Sequence, residues 1–311
     1  MLPEEIADAR QRRYNGTITH LRKPHSELLV MRVKPDFPIP VHRAGQYCSL
    51  GLGNWEPRAP GCQAEILKPG DEARLVRRAY SISHPILDES GALVDPAKSD
   101  FLEFYVALVR EGPDPSKPPA LTPRMFMLRN GERINIGERI TGHFTLEPVK
   151  PTDTVLFLGT GTGEAPHNYM TWELLKTGHA GKIVHVCCVR KRVDLAYVDT
   201  HQKLMARHPN YQYLALTTRE ADTIGQKVYI QDLITSGELE AKMGEAFDPS
   251  RTHVYLCGNP KMIGVPQKNK ETGVREYPQP TGVIEILEQR GFTADNPTAR
   301  VKGNVHFEEY W

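Results

Sequence analysis

The stretch FLGTGTGEAP places glycine at 159, 161 and 163, directly after an apolar run and ahead of the helix-like APHNYMTWELLK. Glycine lets a backbone come close to a ligand, and a helix opening there offers unpaired N–H groups and the positive end of its dipole. A diphosphate is the natural guest for Thr160, Gly161, Thr162 and Gly163. Pro166 suits the first helical turn, where its missing N–H has no partner to lose. The spacing departs from GxGxxG, because Glu164 stands where the last glycine would be.

The next apolar run, KIVHVCCV, leads into Arg190, Lys191 and Arg192. Folds that select NAD place an acidic residue at this point for the ribose 2′-hydroxyl, so cations here favour a 2′-phosphate. Arg219 in TTRE and Lys227 shortly after it add two more charges that could surround one phosphate. In the first half, RRAYSIS reads as a strand, with Arg78 and Tyr80 on one side and Ala79 and Ser81 on the other. A cation, a flat ring and a hydroxyl this close could hold a diphosphate and a planar heterocycle. LTPRM is a second anion-site candidate, with Thr122 expected at a helix N-cap.

These residues need elements to carry them. The first half offers short β-type runs (SELLVMRV, QYCSLGL, AYSIS, FLEFYVALV) between Pro and Gly clusters, which predicts an antiparallel barrel. From Pro151 onward short apolar strands alternate with helices, the pattern of a parallel sheet covered on both faces. The change falls near Val149 to Thr152, giving domains over 1–150 and 151–311. Segments 54–73 and 265–280 are polar or Pro-rich and read as surface loop insertions.

Bulk composition narrows the function. The chain has 311 residues and a formal net charge of +1, which argues against a nucleic-acid binder working through a strong overall field. No apolar run is long enough to span a bilayer, and the polar, acidic start does not read as a secretion signal. Five cysteines without a CxxC pattern indicate reduced, buried thiols in a cytoplasmic protein. The 12 histidines show no metal-ligand spacing, so no metal is expected.

With RxYS, LTPR, GTGTGxAP, YLCGNPKM and a terminal aromatic in this order, the chain resembles the ferredoxin–NADP reductase family, in particular its bacterial ferredoxin/flavodoxin–NADP⁺ reductases. The resemblance implies an FAD-binding antiparallel β-barrel followed by an α/β domain whose parallel five-stranded sheet binds NADP. It implies that Arg78 contacts the FAD diphosphate, that Tyr80 stacks on the isoalloxazine and that Ser81 hydrogen-bonds near N5, with Ala79 between them. Val106, Ala107 and Leu108 match the strand that meets the flavin nucleotide, and Leu121, Thr122 and Pro123 the helix start that receives the diphosphate. Gly161, Thr162 and Gly163 match the NADP diphosphate loop; Arg190, Arg219 and Lys227 match the 2′-phosphate site, Lys227 standing for an expected Arg. Cys257 and Gly258 match the CG pair beside the nicotinamide pocket. Glu164 and His167 depart from the family's apolar residues, and Glu164 adds a negative charge near the phosphate loop.

The implied activity is electron transfer between NADP(H), as hydride, and ferredoxin or flavodoxin, with Ser81 and Cys257 orienting the nicotinamide–flavin stack. Trp311 would cover the flavin face opposite Tyr80 and act as a gate that nicotinamide displaces. The expected partner is an acidic carrier in a transient complex with a monomer, docking on basic residues such as Arg110, Arg124 and Arg129; neither nucleic acid nor a membrane is expected. Two alternatives stand beside this: a reductase component serving an oxygenase or quinone, and a non-catalytic flavin- or nucleotide-binding subunit.

Overall fold

A computed structural model describes residues 1–95, 99–296 and 299–310. The chain divides into two compact units, one made of 1–85 and 94–143, the other of 86–93 and the chain from Phe144 onward.

The first unit opens with helix α1 (Pro3–Arg13) and then builds β1 (Gly16–His25), β2 (Leu28–Pro35), β3 (Tyr47–Gly53), β4 (Leu75–Ser81), β5 (Leu102–Ala107), the single helical turn α2 (Thr122–Met125) and β6 (Arg133–Ile136). The six strands pair in the order β4-β3-β6-β1-β2-β5. A bridge between Ser83, just past β4, and Glu103 of β5 brings the two ends of the antiparallel sheet together as in a barrel. Ile18, Leu29, Met31, Val33, Leu50 and Phe104 fill the interior with no exposed surface.

The second unit alternates strand and helix: β7 (Thr154–Thr160), α3 (Glu164–Lys176), β8 (Ile183–Val189), α4 (Val198–Arg207), β9 (Tyr211–Thr217), α5 (Ile230–Thr235), α6 (Glu238–Met243), β10 (Thr252–Gly258), α7 (Pro260–Ile263), the small hairpin β11 (Gln267–Lys268) and β12 (Arg275–Glu276), α8 (Val283–Glu288) and β13 (Val305–Glu309). The large sheet runs β13-β10-β7-β8-β9, with every pair parallel.

Strand alternation gives the sheet two unlike faces. Leu156, Leu158, Val184, Val186, Val254 and Leu256 form an aliphatic core with Ile230, Leu233, Ile263, Ile284 and Leu287 from the short helices α5, α7 and α8. The intervening positions carry rings: Phe157 lies 5.1 Å from His167 of α3, and His185 lies 4.9 Å from His201 of α4. None of the helices among the described residues is long and apolar enough to cross a membrane.

Candidate functional site

The glycine turn sits where β7 ends. Gly161 is half-buried, has φ +55° and has open space where a side chain would be, so a ligand can approach its backbone on that side. A Cβ at Gly163 would collide with the carbonyl of Cys257, so only glycine lets the turn pass the end of β10. Gly163 also occupies the cap position of α3 and supplies no side chain to satisfy the first N–H groups. Thr160 braces the turn, since its hydroxyl accepts the Asn259 N–H at 2.7 Å and ties the ends of β7 and β10 together.

Glu164 does not present its charge to this turn. Its side chain is fully buried, where it accepts the Tyr213 hydroxyl at 2.8 Å and lies 3.3 Å from the His201 ring. The negative charge expected beside the phosphate loop is thus turned into the interior, because β9 and α4 supply the polar partners there. His167 is likewise fully buried, and burial lowers its pKa to about 3, so it is neutral.

The cations separate into two groups. Arg219 donates its backbone N–H to the Arg190 carbonyl at 2.8 Å, which sets the two residues side by side at the ends of β8 and β9. Both side chains are exposed, as are Lys191 and Lys227, the last in the loop after β9. Arg192 is engaged instead: its guanidinium pairs with Asp222, and its backbone N–H donates to Glu220 at 2.6 Å. The RKR run therefore offers Arg190 and Lys191 as available charges, while Arg192 braces the loop.

In the first unit, β4 pairs with β3 so that Arg78 faces Leu50 and Tyr80 faces Cys48. Arg78 is exposed, and its guanidinium donates to the neighbouring carbonyl of Arg77 at 2.8 Å. Tyr80 is half-buried and Ser81 buried; burial raises the Tyr80 phenol well above its usual range, so it stays protonated. Val106 and Ala107 pair with Leu29 and Leu28 at the end of β5, and Leu108 continues that ladder by donating to the Glu27 carbonyl at 2.9 Å.

Two sequence expectations about LTPRM are corrected. Leu121, not Thr122, holds the cap position of α2, and the Thr122 hydroxyl accepts the Val109 N–H at 3.1 Å, pinning the chain that leaves β5. Pro123 and Arg124 are buried. Arg124, expected on a docking surface, is 2% exposed and donates to Glu65 at 2.5 Å, to the Ala120 carbonyl at 2.5 Å and to the Asn54 carbonyl at 3.1 Å. Arg129 is exposed, while Arg110 pairs with Glu27 at 2.6 Å. Glu65 escapes the sequence reading; its one local signal is a carboxylate placed directly before the apolar pair Ile66 and Leu67 in a polar, Pro-rich insertion.

At the far end of β10, Cys257 is fully buried, and burial followed by the nearby Glu308 charge pushes its thiol well above the usual range. It is a neutral thiol rather than a nucleophile. Gly258 has φ +123°, and its carbonyl accepts the Tyr310 N–H at 2.9 Å, extending the β10–β13 ladder. Trp311 lies outside the described residues. No cluster of three or more metal-type side chains occurs among the described residues.

Residues 157–268 match the family model for the oxidoreductase NAD-binding domain. Ferredoxin–NADP reductase A of Sorangium cellulosum is 31% identical over 264 residues, covering 81% of this chain and 74% of that one. The flavodoxin/ferredoxin–NADP reductase of Escherichia coli (strain K12) is 29% identical over 227 residues, 73% of this chain and 77% of that one. Among solved structures, a ferredoxin NADP⁺ reductase from Neisseria gonorrhoeae with bound FAD and NADP shares the fold, with a TM-score of 0.67 at 19% identity and coverage of 95% and 97%. Barrel, parallel sheet, glycine turn and sequence identity agree: the chain belongs to the ferredoxin–NADP reductase family.

Proposed function

We infer that the protein is an FAD-dependent oxidoreductase that passes electrons between NADP(H) and a one-electron carrier, ferredoxin or flavodoxin. The observation that carries this reading is the open glycine turn of Gly161 at the head of α3, one strand away from Arg190 and Arg219, two exposed arginines linked by their backbones. Backbone N–H groups of a glycine turn at a helix start suit a diphosphate, and the arginine pair suits a further phosphate. The residues present also fit a flavin nucleotide: Arg78 is exposed and has no carboxylate bound to it among the described residues, and Tyr80 adds a ring two positions along the same strand.

Each half of the chain then has a defined role. Gly161, Thr162 and Gly163 bind the dinucleotide diphosphate through backbone N–H groups, with Thr160 bracing the turn. Arg190, Arg219 and Lys227 select the 2′-phosphate. On the barrel, Arg78 neutralises the flavin diphosphate, Tyr80 covers the ring system and Ser81 orients it; Ala79, Val106 to Leu108 and Leu121 to Pro123 supply backbone and shape around it. Cys257 and Gly258 shape the nicotinamide end, where a neutral thiol excludes water without reacting. Bound flavin supplies the conversion of a two-electron hydride into single electrons.

Anaerobic titration of the purified protein tests the reading. A yellow protein that bleaches with NADPH far faster than with NADH, and then reduces ferredoxin or flavodoxin, is expected. A colourless protein that binds no flavin would overturn it.

A further inference from the structure

A cleft of about 450 Å³ in the first unit runs between β4, which contributes Val76 and Arg78, and the segment Glu65, Ile66 and Leu67. The first part of the 54–73 insertion is rigidly held. Arg124 binds both Asn54 and Glu65, Arg58 binds Glu65 at 3.1 Å and the Pro119 carbonyl at 3.0 Å, and Gln63 and Arg110 are joined by a backbone bond of 2.8 Å. Immediately past this anchor comes Ile66, 95% exposed, followed by half-buried Leu67. An apolar pair presented to water on so firm a base has the form of one wall of a binding site.

The charges of the cleft point to its occupant. Its carboxylates are taken: Glu65 by Arg124 and Arg58, and Asp71 by Arg74 at 3.2 Å. Arg77 is turned to Asn135 at 2.8 Å. Among the described residues, the Arg78 guanidinium has only a carbonyl to bind. A ligand that places phosphate at Arg78 and lays an apolar, flat group along Ile66 and Leu67 matches this arrangement.

We propose that Ile66 and Leu67 cover the adenosine half of FAD, so that the 54–73 insertion sets the selection of FAD over FMN. The inference rests on the flavoprotein reading above. FAD and FMN share the isoalloxazine, the ribityl chain and the first phosphate, and they differ only in the adenylyl group that this wall would meet.

The test is flavin affinity, measured on the full chain freed of flavin and titrated with FAD and FMN by flavin fluorescence. The parent is expected to bind FAD more tightly than FMN. The I66S/L67S variant is expected to weaken FAD about tenfold or more, the scale of losing apolar cover from a ring. FMN affinity stays unchanged, which also reports an intact barrel, and Ile66→Leu stays within about threefold of the parent because apolar cover is retained. Equal affinity of the parent for FAD and FMN, an equal loss for both flavins in the variant, or no loss for either would overturn the proposal while leaving the flavoprotein reading in place. A parent chain that binds neither flavin would overturn both.

Discussion

The Tyr213 hydroxyl donates to the Glu164 carboxylate at 2.8 Å inside the second unit, and the His201 ring stacks on Tyr213 with centroids 4.1 Å apart. Glu164 directly follows the glycine turn, so this bond fastens the start of α3 to β9 beneath that turn. Removing the donor leaves a buried carboxylate short of a partner, at a cost of about 1.5–3 kcal/mol. Tyr213→Phe is therefore expected to lower the thermal midpoint by roughly 3–12 °C, with Glu164→Gln milder because an amide oxygen still accepts the bond. Thermal unfolding checks this, and a midpoint within about 1 °C of the parent would contradict it.

Acid should weaken the fold earlier than carboxylate titration allows. Burial lowers His167 to about 3, and burial, followed by His201 and His167, holds His185 well below its usual range. His84 in the barrel is lowered to about 3 by burial and then by His42 and Arg32. Each is neutral when folded, so the unfolded chain binds more protons below its ordinary pKa of 6.5. Stability is complete above that value and falls as pH drops toward 3, by up to about 1.4 kcal/mol per pH unit for each such group. Carboxylates held low contribute only further down: for Glu56, burial is outweighed by bonds from Arg10 and Tyr14, and its loss begins below the ordinary 4.5. Urea unfolding at pH 7.5, 6 and 5 should give a steady decline, and a flat profile would remove the neutral histidines from the account.

Arg190 and Arg219 should act on NADPH rather than NADH. A charge-assisted bond of this kind is worth about 1.5–3 kcal/mol, or roughly 10- to 100-fold. Arg219→Ala is expected to raise KM for NADPH by that factor with kcat and the NADH parameters nearly unchanged. Arg192→Ala should have the smaller effect on KM, because its guanidinium is already committed to Asp222. Steady-state kinetics with both cofactors decides it.

Arg124 should behave as a structural cation. Its loss takes from Glu65, a carboxylate whose side chain is 10% exposed, the nearer of its two arginines, with Arg58 remaining at 3.1 Å. The cost therefore falls below that of leaving a buried charge wholly unpaired, which is about 3–5 kcal/mol. Arg124→Met is expected to show a lower thermal midpoint at any ionic strength. Changing exposed Arg129 to Ala should instead leave stability alone and reduce the salt dependence of carrier reduction. The reverse pattern would restore Arg124 to the docking surface.

The sequence carried most of the architecture because its signals are local. Alternation in KIVHVCCV separates Val184 and Val186 from His185 and Cys187, and the structure places the two sets on opposite faces of the sheet. GTGTG declares a turn through glycine itself, since the residue type determines which backbone angles are open. The series from RxYS to the terminal aromatic was specific enough to indicate the family.

Direction and partnership at long range were not legible. Nothing local says that Arg124 turns inward, because its partner Glu65 lies 59 positions away in a segment read as surface loop. Glu164 looked like a charge beside a phosphate loop until Tyr213, 49 positions later, supplied its bond inside. By itself the sequence determined which elements form and which residue types crowd each end of the sheet, since hydrophobic period and backbone stereochemistry act over a few residues. Only the tertiary structure decided which charges remain available to a ligand, because a buried charge persists only where the folded chain brings a partner to it.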